Sequence, residues 1–207
     1  MPRVGDTRAK ILEVAEAEFA AEGYAGAHLQ KIAEQVGVRK TALYYYFESK
    51  AALYTAVLES MLEAFESAVG AVLDAEEPPD RKLESLAARI NDVLAQNPNY
   101  GRILFRVFVD PQPQEANHVL PVVQRVVARV LLFYKSGADA GAFRRISSRH
   151  FFLSAFGAML FHYAAPSFGA RLFGIPDVFT SDAVSWRRDE VIKLLRDGVR
   201  ARPDEDA

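Results

Sequence analysis

The sequence contains no cysteine in its 207 residues. Disulfide bonds, thiolate nucleophiles and cysteine-based zinc or iron–sulfur sites are therefore excluded. The N-terminus lacks the apolar core of a signal peptide, and no uninterrupted apolar run approaches the length that crosses a bilayer. We therefore expect a cytoplasmic protein with no membrane partner.

The chain also lacks an excess of charge of either sign. Its formal net charge is −2, half of its residues are hydrophobic and a quarter are charged, which is typical of a globular protein. The field of the whole chain does not favour binding to phosphate. A nucleic-acid-binding surface would have to be a local cluster of basic side chains.

Sequence motifs of common enzyme classes are missing. There is no phosphate-binding glycine loop, no Gly-x-Ser-x-Gly elbow and no His-Glu-x-x-His motif. The four histidines, at positions 28, 118, 150 and 162, show no short spacing typical of metal ligands. The sequence therefore predicts neither an enzyme nor a cofactor or metal site.

Helical periodicity recurs along most of the chain, whereas the alternation typical of strands is hard to find. One example is the run of Tyr54, Leu58, Met61 and Phe65, at steps of three and four residues. The pattern predicts an all-α fold of about nine helices, with irregular chain between positions 166 and 180. We expect two domains, a small one at 1–49 and a larger one at 50–207.

Residues 28–47 carry the most informative pattern, two short helices joined by a tight turn at Gly37. The apolar positions before the turn share one helical face: Leu29, Ile32, Ala33 and Val36. This arrangement predicts a helix-turn-helix whose second helix fits the major groove of DNA. An ordinary helical corner with solvated charges would give the same spacing, so that alternative stays open on the pattern alone.

The charges of this segment favour the DNA-binding alternative. Residues 28–50 hold four basic side chains and two acidic ones, whereas residues 1–50 as a whole are balanced. Arg39 and Lys40 open the second helix, where such side chains reach base edges. Tyr44 and Tyr45 can donate hydroxyl hydrogen bonds to phosphate oxygens.

The stretch 7–61 resembles the N-terminal domain of the TetR family of bacterial regulators. The resemblance rests on a leading helix that ends Ala-Glu-Gly-Tyr, the run Lys-Ile-Ala-Glu-Gln-Val-Gly-Val, the run Leu-Tyr-Tyr-Tyr-Phe, and Lys50 followed by Leu53 and Tyr54. The rest of the chain matches that family only in being helical and of suitable length. The resemblance implies a dimeric regulator with a C-terminal ligand-binding domain.

The resemblance also implies which residues contact DNA. With the basic residues added, the predicted set is Lys31, Arg39, Lys40, Thr41, Tyr44, Tyr45, Tyr46 and Lys50. Three positions depart from the family pattern. Arg39 and His28 stand where a serine and a threonine commonly cap helices, and Tyr46 replaces a common histidine.

The C-terminal part is expected to form the dimer, because a single helix-turn-helix makes too few contacts for specific binding. Two helices, near 148–165 and 183–200, are predicted to pair with their symmetry mates as a four-helix bundle. The predicted interface residues are Phe152, Met159, Leu160, Tyr163, Val184, Val191 and Leu195. The alternative is that the first of these helices is central in its own monomer.

The chain holds 14 phenylalanines and 8 tyrosines, most of them after position 50. They predict a pocket for an apolar or aromatic compound, although each is individually more typical of a core. The predicted lining is Met61, Phe65, Tyr100, Leu104, Phe108, Phe133 and Phe156, with His118 and His162 as polar anchors. Arg102 and Arg106 would select an anion if they faced inward, but solvated arginines are the favoured interpretation.

Together these features predict a sequence-specific transcriptional regulator that binds a palindromic DNA operator as a homodimer. By family analogy we expect a repressor, released from its operator by a small, largely apolar effector. The alternative is a helical carrier of small molecules without DNA activity.

Overall fold

The structure is a computed structural model of the chain, and it describes residues 4–174 and 177–200. The all-α prediction is confirmed: the described residues form ten α-helices and one 3₁₀ helix, against about nine predicted. The helices are α1 (Val4–Gly26), α2 (Leu29–Val36), α3 (Lys40–Tyr46), α4 (Lys50–Leu73), α5 (Pro79–Gln96), α6 (Tyr100–Val109), the 3₁₀ helix (Gln114–Val119), α7 (Leu120–Asp139), α8 (Ser148–Ala164), α9 (Pro166–Phe173) and α10 (Ser181–Val199).

The first three helices enclose a small apolar core together with the start of α4. Ile11, Phe19, Ile32 and Leu43 are all at most 1% exposed, and they come from α1, α2 and α3. α1 is kinked at Gly23, whose φ of 72° lies in the left-handed region that favours glycine. The kink turns the end of α1 toward α2, so the first three helices fold over one another.

α4 connects this N-terminal unit to the rest of the chain. Its first turn is capped by Ser49, whose hydroxyl accepts a hydrogen bond from the Ala52 N–H at 3.0 Å. Along its length α4 contacts α1 at one end and α5 and α7 further on. The buried residues of this one helix therefore belong to both the N-terminal and the C-terminal core.

The C-terminal helices pack around α8, and α6 approaches it very closely. A β-carbon added at Gly101 of α6 would lie 2.8 Å from the carbonyl carbon of Tyr163 in α8, so only glycine fits there. The Tyr163 hydroxyl donates a hydrogen bond at 2.8 Å to Oδ1 of the buried Asn91 in α5. The close approach at Gly101 therefore packs α6 against α8, and the hydrogen bond joins α8 to α5.

The prediction of an irregular chain after position 165 is wrong in its first part. Pro166 occupies the first turn of α9, where its missing N–H costs no hydrogen bond. α9 has no buried residue and contacts chiefly α8 among the described helices. Its three exposed apolar side chains, Phe168, Leu172 and Phe173, do not form the inward-facing stripe that makes a helix predictable.

Among the described residues, the helical stretch Gln114–Asp139 is long and apolar enough by composition to cross a bilayer. In the fold it lies beside α4, and two of its arginines form ion pairs with one acidic residue in the second half of that helix and one just after it. Arg125 contacts Glu66 at 2.9 Å and Arg129 contacts Asp74 at 2.6 Å. These arginines interrupt the apolar run, and the absence of a membrane partner stays a prediction.

Candidate DNA-binding surface and ligand cavity

Three backbone hydrogen bonds stabilise the tight turn between α2 and α3. Gly37 adopts φ 84° and ψ 31°, and its N–H donates to the carbonyl oxygens of Ala33 at 3.0 Å and Glu34 at 3.1 Å. The Val38 N–H donates to the same Ala33 oxygen at 2.9 Å. Leu43 anchors α3 in the core, so the opposite face of α3 points away from the protein.

That outward face carries five of the predicted DNA-binding residues in exposed positions: Arg39, Lys40, Thr41, Tyr44 and Tyr45. Tyr45 projects far into solvent and is 81% exposed. Tyr46 is half-buried, and its ring meets Tyr45 edge-on at 5.3 Å between centroids. Tyr46 therefore packs against the exposed Tyr45.

Lys31 lies at the edge of this surface and is held by acidic side chains of α1. Its Nζ is 2.6 Å from a carboxylate oxygen of Glu18 and 3.8 Å from one of Glu22. The hydrogen bond to Glu18 raises the pKa of Lys31 above its usual value. Glu18 is buried and also accepts a hydrogen bond from the His28 N–H at 3.3 Å, so this ion pair fixes the start of α2.

Lys50 is likewise turned toward α1. Its Nζ donates to the Ala25 carbonyl oxygen at 3.1 Å and lies 5.0 Å from the centroid of the Tyr24 ring. Partial burial lowers the pKa of Lys50 below its usual value. The side chain therefore joins the start of α4 to the end of α1, beside the candidate DNA-binding face.

The N-cap residues of α2 and α3 are His28 and Arg39, whose side chains are not typical helix caps. Neither His28 nor Arg39 makes a side-chain capping hydrogen bond among the described residues. In place of a cap at α2, the buried Glu18 accepts the His28 N–H. Arg39 leaves α3 uncapped and adds a cation at the start of the outward face.

Two basic residues of α1, Lys10 and Arg8, make contacts that the sequence pattern does not predict. Lys10 donates to the Val36 carbonyl oxygen at 3.2 Å and so satisfies the last turn of α2. The Arg8 guanidinium lies 5.1 Å from the centroid of the Phe47 ring, just after α3. Both contacts join distant parts of the chain, so no local sequence pattern signals them.

A second candidate site is a cavity of about 290 Å³ inside the C-terminal domain. Its walls come from α4, α5, α6, α7, α8 and α10, and every described residue that lines it is apolar. The aromatic part of the wall includes Phe108, Phe152 and Phe156, with ring centroids 5.7 Å apart for Phe152 and Phe156. A cavity of this kind takes a small apolar molecule.

Comparison with known proteins places the N-terminal unit in a defined family. The model of "Bacterial regulatory proteins, tetR family" matches residues 11–57, which span most of α1, all of α2 and α3, and the start of α4. Residues 11–57 therefore match the N-terminal domain of the TetR family.

Two curated relatives of this chain are transcriptional regulators. The transcriptional repressor SCO4008 of Streptomyces coelicolor is 35% identical over 99 residues, which are 48% of this chain and 48% of its own length. The transcriptional activator FasR of Mycolicibacterium smegmatis is 28% identical over 149 residues, which are 71% of this chain and 68% of its own. The match to SCO4008 thus spans only about half of that protein.

The fold of most of the chain is also shared with solved structures. AibR, whose structure is a complex with isovaleryl coenzyme A and operator DNA, superposes with a TM-score of 0.75 at 16% identity. The superposition covers 91% of this chain and 97% of AibR. At this identity the likeness establishes the fold alone.

The residues predicted to bind a ligand are only partly brought together. Phe65, Leu104, Phe108 and Phe156 line the apolar cavity. The remaining predicted residues lie outside its lining: Met61 and Tyr100 in the core, Phe133 against Phe143, His118 exposed on the 3₁₀ helix, and His162 beside Arg187. The cavity walls that the sequence did not single out are mostly valines and leucines, which have no signal beyond ordinary core positions.

His162 is a half-buried histidine of α8 that lies near Arg187 of α10. Its Nε2 is buried without a hydrogen-bond partner among the described residues. Burial, with a smaller effect from the nearby Arg187, lowers the pKa of His162 to about 4. His162 is therefore neutral at physiological pH and does not face the cavity.

The predicted dimer residues are mostly enclosed by the chain's own helices. Met159, Leu160, Tyr163, Val191 and Leu195 are buried, and the other two, Phe152 and Val184, are half-buried. Side chains already in the core of one chain are not available to a second copy. The exposed apolar residues on α8 and α10 are Leu153, Phe161, Trp186 and Leu194.

Arg106 of α6 makes contacts that the sequence did not predict. Its guanidinium donates to the Ala20 carbonyl oxygen at 3.0 Å and to that of Ala21, and it pairs with Asp110 at 3.1 Å. It thus holds the α1 turn that precedes the kink. Arg102, one turn earlier, is exposed beside a shallow crevice between α1, α6 and α9, as expected for a solvated arginine.

Proposed function

We propose that this chain is a cytoplasmic, sequence-specific transcriptional regulator of the TetR family that binds DNA as a homodimer. The observation that carries the proposal is the outward face of α3, where Arg39, Lys40, Thr41, Tyr44 and Tyr45 are exposed over a closed helix-turn-helix. Cationic and hydroxyl groups on one exposed helix face suit base edges and phosphate oxygens of the major groove. Residues 1–49 form the DNA-binding domain in this proposal, and residues 50–207 bind the ligand and form the dimer.

The proposed dimer surface is an exposed face shared by α8 and α10. On α8 the exposed positions His150, Ser154, Gly157 and Phe161 follow one another at steps of four, three and four residues, which places them on one face. α10 adds the exposed Trp186 and Leu194. A self-complementary contact of this kind gives a two-fold axis and therefore a palindromic operator.

The proposed effector site is the apolar cavity. Its lining suits the small, largely apolar ligand expected from the sequence. AibR, which shares the fold, carries isovaleryl coenzyme A in its complex with operator DNA. We infer a repressor that the ligand releases, as the name of SCO4008 suggests, although FasR is named an activator.

The proposed coupling runs through α6, which lies between the cavity and the DNA-binding domain. Leu104, Val107 and Phe108 of α6 line the cavity, while Arg106 holds the carbonyl oxygens of α1. Just after α6, Gln112 accepts a hydrogen bond from the Tyr54 hydroxyl of α4 at 2.7 Å. A ligand that shifts α6 would change operator affinity by roughly 5- to 150-fold if the coupling is about 1–3 kcal/mol.

Selection of duplexes from a random pool by the full-length protein tests the proposal. We expect enrichment of a palindrome whose half-sites are centred about one helical turn, or a multiple of it, apart. The selected duplex should bind at least about a thousandfold more tightly than random DNA at physiological salt. If no sequence is enriched while the protein still binds apolar ligands, the chain is a small-molecule carrier and the proposal fails.

A further inference from the structure

The cavity excludes polar groups from the part of a ligand that it encloses. Each described residue of its wall is apolar, and three sides are built largely from valines, leucines and phenylalanines of α4, α7 and α8. A hydroxyl, amide or carboxylate inside it would lose its bonds to water and gain no partner. The enclosed part of the ligand must therefore be hydrocarbon.

The volume limits the length of that hydrocarbon. The cavity measures about 290 Å³. A group the size of a water molecule occupies about 30 Å³, and a methylene group is similar in size. A chain of about ten carbon atoms therefore fills the cavity.

The opening of the cavity lies between α6 and α8. Phe108 and Leu153 both line the cavity, yet Phe108 is 64% exposed to solvent and Leu153 is 63% exposed. The Phe108 ring meets the Phe156 ring edge-on at 5.9 Å between centroids, which places Phe156 next to the same opening. A chain enters there, and whatever is attached to its outer end stays in water.

A cation stands beside this opening. Arg149 precedes Leu153 by four residues and Phe156 by seven on α8, so all three share one helical face. Arg149 is exposed, and among the described residues it makes no hydrogen bond or ion pair. The sequence holds no acidic residue between Asp139 and Asp177, so no carboxylate on this segment neutralises it.

We propose that the effector is a hydrocarbon chain of about ten carbons with an anionic head group, the chain in the cavity and the head group beside Arg149. The inference rests on the proposed function only in treating the cavity as the effector site. Free carboxylates and acyl thioesters of a phosphorylated carrier share this chemistry. Titration with decanoate and with decanoyl coenzyme A distinguishes these two sources.

Calorimetric titration of the full-length protein with straight-chain carboxylates of six to fourteen carbons tests the hydrocarbon part. Affinity should rise about fourfold with each methylene group up to about ten carbons and then level off. Decanedioate, with a second carboxylate at the buried end, should bind at least about a hundredfold more weakly than decanoate. A flat chain-length series, no binding at any length, or equal binding of decanedioate would overturn the proposal.

Charge at the opening is tested with Arg149→Gln and the matched control Arg171→Gln, an exposed arginine of α9. Arg149→Gln should weaken decanoate binding at least about fivefold and leave decan-1-ol binding unchanged, whereas Arg171→Gln should change neither. Equal effects of the two substitutions would remove the head-group assignment. Decanoyl coenzyme A is titrated alongside, and whichever of the two anions binds more tightly identifies the source.

A cavity-filling variant gives an independent check. Val123→Trp on α7 should abolish decanoate binding, with thermal unfolding used to show that the variant is folded. If it does not fold, the chain-length series on the unmodified protein decides alone.

Failure of this inference can be distinguished from failure of the proposed function. If the protein binds its selected DNA but no alkyl carboxylate, this inference is overturned and the proposed function is not. If the protein binds alkyl carboxylates but no DNA, DNA-binding regulation is overturned and the ligand assignment is not.

Discussion

Lys31 and Lys40 are exposed lysines on successive helices of the helix-turn-helix, and they differ in whether they form an ion pair within the protein. Lys31 is bound to the buried Glu18 at 2.6 Å, whereas Lys40 has no ion pair among the described residues. A lysine that is already paired releases fewer counterions when it meets a phosphate. The two cations therefore contribute unequally to DNA binding.

Lys40→Ala should weaken binding to the selected duplex at least about tenfold and reduce the salt slope of log K by about two, one contact in each half-site. Lys31→Ala should weaken binding less than about threefold, and its salt slope should stay close to that of the unmodified protein. Fluorescence anisotropy at several salt concentrations measures both. Equal losses in the two variants would contradict the pairing of Lys31 with Glu18.

His162 gives the folded protein a dependence on pH. Its pKa is about 4 in the fold and 6.5 in its ordinary state, so the unfolded chain binds more protons between these values. The contribution of neutral His162 is present above pH 6.5 and is lost as the pH falls toward 4. After allowance for its partial exposure, the loss is about 2 kcal/mol of unfolding free energy.

Urea unfolding at pH 7, 5 and 4 measures this loss, with His162→Phe as the comparison. The variant should lose less stability than the unmodified protein over this range, because a phenylalanine side chain cannot bind a proton. Parallel losses in the two proteins would show that His162 does not titrate as the structure indicates.

At the scale of the element, α6 connects the two proposed sites. Arg106→Gln removes the guanidinium that holds Ala20 and Ala21 of α1, while the cavity side of α6 is unchanged. We expect the variant to bind the cavity ligand normally but to lose most of the effect of that ligand on DNA affinity. The measurement is anisotropy of the selected duplex with and without ligand.

Arg102→Gln is the matched control for this prediction, since Arg102 lies one turn earlier on the same helix and makes no hydrogen bond or ion pair among the described residues. Its ligand response should equal that of the unmodified protein. A full ligand response in Arg106→Gln would show that α6 does not act through α1.

The elements also show which parts of the fold the sequence could predict. Helix-turn-helix residues were predictable because Gly37 and the apolar spacing around it are local. The pairing of Glu18 with Lys31 was not, because it joins helices through tertiary contact. α8 is apolar on almost every side, so periodicity could not separate its core face, with Met159, from its exposed face, with Phe161.

At the scale of the whole molecule, dimerisation is tested by two leucines of similar exposure. Leu194 on α10 is 60% exposed and lies on the proposed interface, and Leu132 on α7 is 65% exposed and lies outside it. Leu194→Glu should convert the dimer to a monomer in sedimentation velocity, because it places a charge in an apolar contact. Leu132→Glu should leave the dimer intact, and the opposite pattern would move the interface to α7.

Dimeric, sequence-specific binding is tested by comparing the affinity for one selected palindromic duplex with that for the same duplex after one half-site is scrambled. We expect two chains bound to each intact duplex and a loss of at least about a hundredfold in affinity on scrambling, because both copies of α3 are needed. Equal affinity for the two duplexes, or one chain bound to each, would contradict a dimeric, sequence-specific regulator.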